Sequence, residues 1–264
     1  MRVALTVLTL ALLVAPAAAG PYTAAGIPAS DPRFVGWATG VADLNRGPQN
    51  ISVPGSPPAS FGTAAAALGK ADGGVVSLGD GGSITLTFAR PIGNGPGADF
   101  AVFENGFAAA GRVFAELGHV EVSSNGTDFV RFPSVSLTPT GTQVGGFGLI
   151  DPTDVNNLAG KDPALVGTAF DLAELAGVSP LLDVNRVGYV RVVDVVGSVD
   201  PRFGSRDSLG NLINDPFPTA FASGGFDLDA VGVINPAAVP EPASAALFAL
   251  GAAAVAVRLR RRAV

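Results

Sequence analysis

The residues of this chain that could do chemistry are mostly carboxylates. Asp227 and Asp229 sit two apart in the apolar run Phe226–Ile234, and Asp194 lies inside another, Tyr189–Val196. In a strand, that spacing sends Asp227 and Asp229 to one face, beside Val231 and Val233. A carboxylate on an inward face costs free energy unless a donor, a counter-charge or a metal meets it. Hard cations take six to eight oxygen ligands, which makes Asp229, Asp227 and Asp194 the candidate ligands of a structural Ca2+. The alternative is a solvated face, or pairing with Arg186 or Arg191. The loop acids Asp151, Asp154, Asp207 and Asp215 lack the D-x-D-x-D-G spacing of an EF-hand.

Other chemistries find less support. There is one histidine, His119, and no cysteine. With no G-x-S-x-G elbow, a serine triad has no nucleophile, and His119 reads as a strand-edge residue. Thiolate chemistry is excluded, and H-E-x-x-H zinc binding is impossible with a single His. Glu104, Glu116 and Glu121 are candidates for paired-carboxylate glycoside hydrolysis, but no spacing marks an acid and a nucleophile. Glu104-Asn105-Gly106 reads instead as a strand ending in a turn. Gly93-x-Gly95-x-x-Ala98 has the letters of a dinucleotide fingerprint, yet a strand follows it, not a helix. For stacking on sugars, Trp37, Tyr22 and Tyr189 are the only Trp and Tyr residues. Tyr189 begins a core strand, and Trp37 reads as part of an N-terminal plug. No catalytic residue is assigned, and the expectation is a non-enzymatic protein.

These residues need strands to position them. Ser83–Phe88 alternates, with Ile84, Leu86 and Phe88 on one face and Ser83, Thr85 and Thr87 on the other. Asp99–Glu104 is apolar on both faces and reads as a central strand. His119–Ser123 and Phe129–Phe132 flank Asn125-Gly126, a pair that tolerates positive φ and marks a hairpin. Ala64–Leu68 and Phe170–Leu175 read as short helical turns. Residues 138–168 and 197–224 are long loops of turn formers, and loops of that length are usually functional or ordered by something bound. The predicted class is all-β: an antiparallel β-sandwich with long loops gathered at one end, covering residues 70–235 after an N-terminal segment of residues 20–69 that leads into or clasps it.

The two ends follow a different logic. Residues 1–19 carry Arg2, an apolar run Ala4–Val14 and a small-x-small site at Ala17 and Ala19, the order of an N-terminal signal peptide. Residues 239–264 carry Pro240-Glu241-Pro242, the apolar run Ala243–Val257, and Arg258, Arg260, Arg261 and Arg262. As a helix that run rises about 22 Å against a hydrocarbon core of about 30 Å, so it is a short single C-terminal transmembrane helix. The basic flank stays cytoplasmic, which places the body outside the inner membrane. Of 16 Lys+Arg, five lie outside Gly20–Pro242, leaving 11 there against 22 Asp+Glu and a net charge near −11 for the exported part. That balance disfavours nucleic acid and anionic lipid as partners.

The tail resembles the PEP-CTERM sorting signal of Gram-negative bacteria, carried by Pro240, Glu241, Pro242, the apolar run and the arginines. The resemblance implies an exosortase partner, membrane anchoring until processing, and a destination at the cell surface or in an exopolysaccharide matrix. Within the body, Val120–Phe129 and Tyr189-Val190-Arg191-Val192 resemble strands of discoidin-like, galactose-binding-like jelly rolls. Phe226–Ile234 is similar to the closing strand of carbohydrate-binding jelly rolls that hold calcium, where Asp229 would be the ligand. The expectation is a surface-sorted β-sandwich protein that binds polysaccharide or calcium. The alternatives are a secreted carboxylate-based glycan hydrolase and a ligand-free structural coat protein.

Overall fold

The computed structural model describes residues 19–238, apart from Ala24. The expected signal peptide lies outside the described residues except for Ala19, which is exposed, and so do the Pro240–Pro242 triplet, the run 243–257 and the terminal arginines. Among the described residues no helix is long and apolar enough to cross a membrane.

The described chain is all-β. Its strands are β1 (Ile27–Pro28), β2 (Gly36–Asn45), β3 (Val76–Ser77), β4 (Ser83–Ile92), β5 (Phe100–Glu104), β6 (Phe107–Ala109), β7 (Arg112–Phe114), β8 (Gly118–Ser123), β9 (Val130–Arg131), β10 (Val135–Ser136), β11 (Val155–Asn156), β12 (Leu158–Ala159), β13 (Val166–Phe170), β14 (Val187–Asp194) and β15 (Asp227–Val233). One large antiparallel sheet runs β1-β13-β5-β15-β2-β4-β14-β8-β12, with β3 added to β15 and β9 to β8.

The sheet curls on itself at β2. Gly36 and Trp37 pair with β15, whereas Ala38–Asn45 pair with β4, and two register shifts carry the strand across the corner. β2, from the N-terminal part of the chain, is thus the strand that joins the two halves of the sheet. Those halves face each other across one core: Phe100, Val102, Phe170 and Val231 from one side meet Ile84, Leu86, Val120 and Val192 from the other. Each such side chain contributes about 1.5–3 kcal/mol by leaving water, and with no cysteine this packing holds the domain.

Most of the expected elements are present. β5 is fully buried between β13 and β15, and the Asn125-Gly126 turn joins β8 to β9, with Gly126 at φ +78°. The turns at Ala64–Ala67 and Leu172–Leu175 are 3-10, not α-helical. Trp37 packs on Phe34 and Phe103, with ring centroids 5.0 and 5.5 Å away, as a plug. His119 departs from the expectation: β8 pairs with β14 on one side and β12 on the other, so the imidazole is interior and not at an edge. Thr85 is also buried, under Arg191, whose guanidinium donates to its hydroxyl and lies 3.5 Å from the centre of the Phe129 ring.

The two long loops are ordered by the protein itself. Asn214 is fully buried and uses both ends of its amide: Oδ1 accepts from Val144 N–H and Gln143 Nε2, and Nδ2 donates to the carbonyls of Pro139 and Thr142. Val113, Ala115, Leu117, Ile150, Val155, Leu158, Val195 and Ile213 form a second small core beneath them.

Candidate functional site

β15 carries Asp227 and Asp229, but its pairing with β5 shifts register between Leu228 and Ala230. That irregularity breaks the period-two alternation. Leu228 shares the main core with Val231 and Val233, while Ala230 packs with Phe103 on the other side. Asp229 accepts from the backbone N–H groups of Asp72 and Gly73. Asp227 accepts from the Ser77 hydroxyl and Asn105 Nδ2. Asp194 accepts from Gly81 N–H and Phe226 N–H, at 2.8 and 2.6 Å. Each of the three acids thus has its own donors from the fold. Among the described residues no group of three or more His, Cys, Asp or Glu side chains is arranged to hold a metal ion.

The carboxylates that stand out are Glu104 and Glu116. Glu104 ends β5, and its Oε2 accepts from Gly106 N–H at 2.6 Å, while Oε1 is buried with no partner. Glu116 follows β7, and its Oε1 is also buried without a partner. Burial, and then the charge of Asp227, holds Glu104 well above the usual carboxylate range. Burial, and then the charges of Glu104, Asp227 and Asp194, does the same to Glu116. Asp227 itself is pushed up to about 6 by burial. The neighbouring cation, Arg46, spends its guanidinium on the carbonyls of Phe61, Gly62 and Ser77. The ion pairs among the described residues lie elsewhere; Glu121, the third candidate glutamate, bridges Arg131 and Arg191.

A cavity of about 240 Å³ opens over Glu116 and Asp227. Glu116, Asp227, Thr219 and Asn105 line its polar end. Phe107, Phe114, Phe147 and Phe221 line the rest, and three of them are unusually exposed: Phe147 at 73%, Phe107 at 51% and Phe221 at 50%. The rings form a ladder. Phe107 and Phe114 stack at 5.2 Å, Phe114 and Phe147 lie at 6.3 Å, and Phe147 and Phe221 at 5.8 Å.

Local sequence explains the placement. Asn105–Phe114 folds as the β6–β7 hairpin, with Ala110 and Gly111 at positive φ in a two-residue turn, so Phe107 pairs directly with Phe114. Phe147 comes from the first long loop and Phe221 from the second. The Asn214–Gln143 clamp brings those loops together. The hairpin and the ladder are not marked by Trp or Tyr, the usual stacking residues, and so are hard to see in the sequence. The available signal was Phe107-x-Ala109, a short Ala-Gly turn, and Arg112-x-Phe114.

The body is therefore an acidic, all-β domain with an aromatic-rimmed cavity. The chain is an exported, surface-sorted protein: residues 238–262 match a family model described as the PEP-CTERM protein-sorting motif. That motif implies processing by an exosortase, with membrane anchoring beforehand. The match covers the tail alone, and no curated protein matches the chain.

Proposed function

We propose that this is a non-enzymatic matrix protein of a Gram-negative surface, and that its Phe-rimmed cavity binds a unit of an extracellular polysaccharide. We read the curled sheet as a galactose-binding-like jelly roll. The observation that carries the binding reading is the exposed ladder Phe107–Phe114–Phe147–Phe221 above buried polar groups. Exposed rings cover the apolar faces of sugars, and a few polar groups orient them. The cavity is smaller than the roughly 300 Å³ at which drug-sized sites begin, which suits a single ring or substituent.

The test is titration of the full-length chain with the host's exopolysaccharide, followed by calorimetry and melting temperature. Binding is expected, with a loss of ten-fold or more in Phe147→Ala. No heat and no change in melting temperature would remove the binding reading and leave the coat-protein alternative. Buried, proton-retaining glutamates are also what a glycan hydrolase uses. Release of reducing ends from the same polymer, abolished by Glu116→Gln, would replace binding by hydrolysis.

A further inference from the structure

Two carboxylates line the cavity, Glu116 and Asp227, and two more, Glu104 and Asp194, are close enough for their charges to act on Glu116. Glu104 from β5, Glu116 after β7, Asp227 from β15 and Asp194 from β14 act on one another through space, and Arg46 is the cation that faces Asp227. Glu104 and Glu116 are 1% and 6% exposed, and each keeps one oxygen without a donor. Unpartnered buried acceptors are rare in folded proteins and ask for an explanation. In the empty protein burial favours their neutral, protonated form, which removes the charge but supplies no partner. A ligand that brings N–H donors and positive charge would satisfy them better.

The rim narrows the ligand class. Phe rings do not ligate hard metal ions, but they attract ammonium groups through their negative faces. They also cover the apolar face of a sugar ring. Resting on the polysaccharide reading, we propose that the cavity selects a sugar bearing a free, protonated amine: the ammonium points to Glu116 and Asp227, while the ring lies against Phe114 and Phe147. The partner polymer is then an amino-sugar polysaccharide that is at least partly deacetylated. Its charge also complements the acidic exported body.

The carboxylates must ionise to pair with the ammonium, so binding releases protons and weakens as pH falls. The groups that titrate with it are Glu104, Asp227 and Asp194, and Arg46 is the fixed charge facing Asp227.

The experiment titrates the full-length chain with a glucosamine tetramer and with its fully N-acetylated counterpart, by calorimetry in two buffers of different ionisation enthalpy. At pH 6, where the free amine is already protonated, it should bind at least ten-fold tighter than the acetylated tetramer, with proton release, and the preference should shrink between pH 6 and pH 4.5. Glu116→Gln should erase the preference, Glu116→Asp should retain part of it, and Phe147→Ala should weaken both ligands alike. Equal affinity for the two tetramers overturns the amine inference while leaving the glycan reading intact; binding of neither overturns both for this sugar class. Spermidine or a lysine-rich peptide binding as tightly as the tetramer keeps the amine and rejects the sugar. CaCl2 alone raising the melting temperature and displacing the tetramer overturns the proposal in favour of a metal.

Discussion

The backbone N–H of Gly106 donates to Glu104 Oε2 at 2.6 Å, and this one bond fixes the buried glutamate that ends β5, whose charge acts on Glu116 in the cavity wall. A Cβ at Gly106 would sit 2.4 Å from the Phe114 carbonyl oxygen and 2.8 Å from Glu104 Oε2. The first neighbour is backbone of the paired strand and cannot swing away. Gly106→Ala should therefore cost about 1–3 kcal/mol. It should also weaken ligand binding, because it displaces both Glu104 and the ring of Phe114. Chemical denaturation together with a binding isotherm checks it; unchanged stability and affinity would mean that the hairpin yields without effect.

Stability should fall as pH rises. Burial holds Glu104, Glu116, Asp194 and Asp215 well above the usual carboxylate range, and pushes Asp80 and Asp227 up to about 6. Between about pH 4, where unfolded carboxylates titrate, and those raised values, the folded state keeps protons that the unfolded chain has lost. Their stabilisation is complete below the unfolded pKa and disappears as pH climbs through the folded one. His119 works the other way: burial pushes it down to about 3, so the neutral imidazole penalises folding below about pH 6.5. Six carboxylates outweigh one imidazole. The melting temperature should be higher at pH 5 than at pH 8, and a higher value at pH 8 would contradict the assignment.

The same acids should trade stability for binding. Glu116→Gln removes a group that resists ionisation, so the variant should melt higher than the parent at pH 8 while losing ligand. Differential scanning calorimetry at pH 5 and pH 8 separates the two effects. The gain belongs to pH 8, where the parent must give up its proton.

Asn214 should prove a keystone of the aromatic rim. Asn214→Ala strands the Val144 N–H and two loop carbonyls, at a cost of about 2–4 kcal/mol. It also frees the loop that carries Phe147. Hydrogen exchange should speed up in residues 139–147 before it does in β14. Uniform protection in both segments would show that the second core, not the amide, holds the loop.

The folded body continues up to the sorting motif. Ala237 N–H donates to the Pro91 carbonyl, Arg90 donates to the Ala237 carbonyl, and Asn235 Nδ2 donates to Asp99 Oδ1, each at 2.8 Å. The motif match begins at residue 238. A chain ending at Ala238 should keep its melting temperature. One ending at Ile234 should lose about 2 kcal/mol, or about 4–8 °C. Equal melting of the two would show that residues 235–237 contribute nothing to the fold.

The strands β4, β5, β8, β14 and β15 were legible in the sequence because alternation and turn chemistry are local properties, written within a few residues of one chain segment. The ends were legible for a similar reason: charge, apolar run and triplet act in linear order. Asp227 and Asp229 stood out as buried acids, but their partners did not. Ser77, Asn105, Asp72 and Gly73 reach them from distant parts of the chain, and a register shift in β15 undid the face assignment. The ladder is likewise non-local. Phe107, Phe114, Phe147 and Phe221 meet only because a hairpin and two loops, clamped by Gln143 and Asn214, close over Glu116 and Asp227. Sequence by itself determined the strand grammar, the acidic exported charge and the sorting tail. Tertiary structure decided which acids share a cavity and which rings cover it, because long-range pairing and burial depend on contacts that no local period encodes.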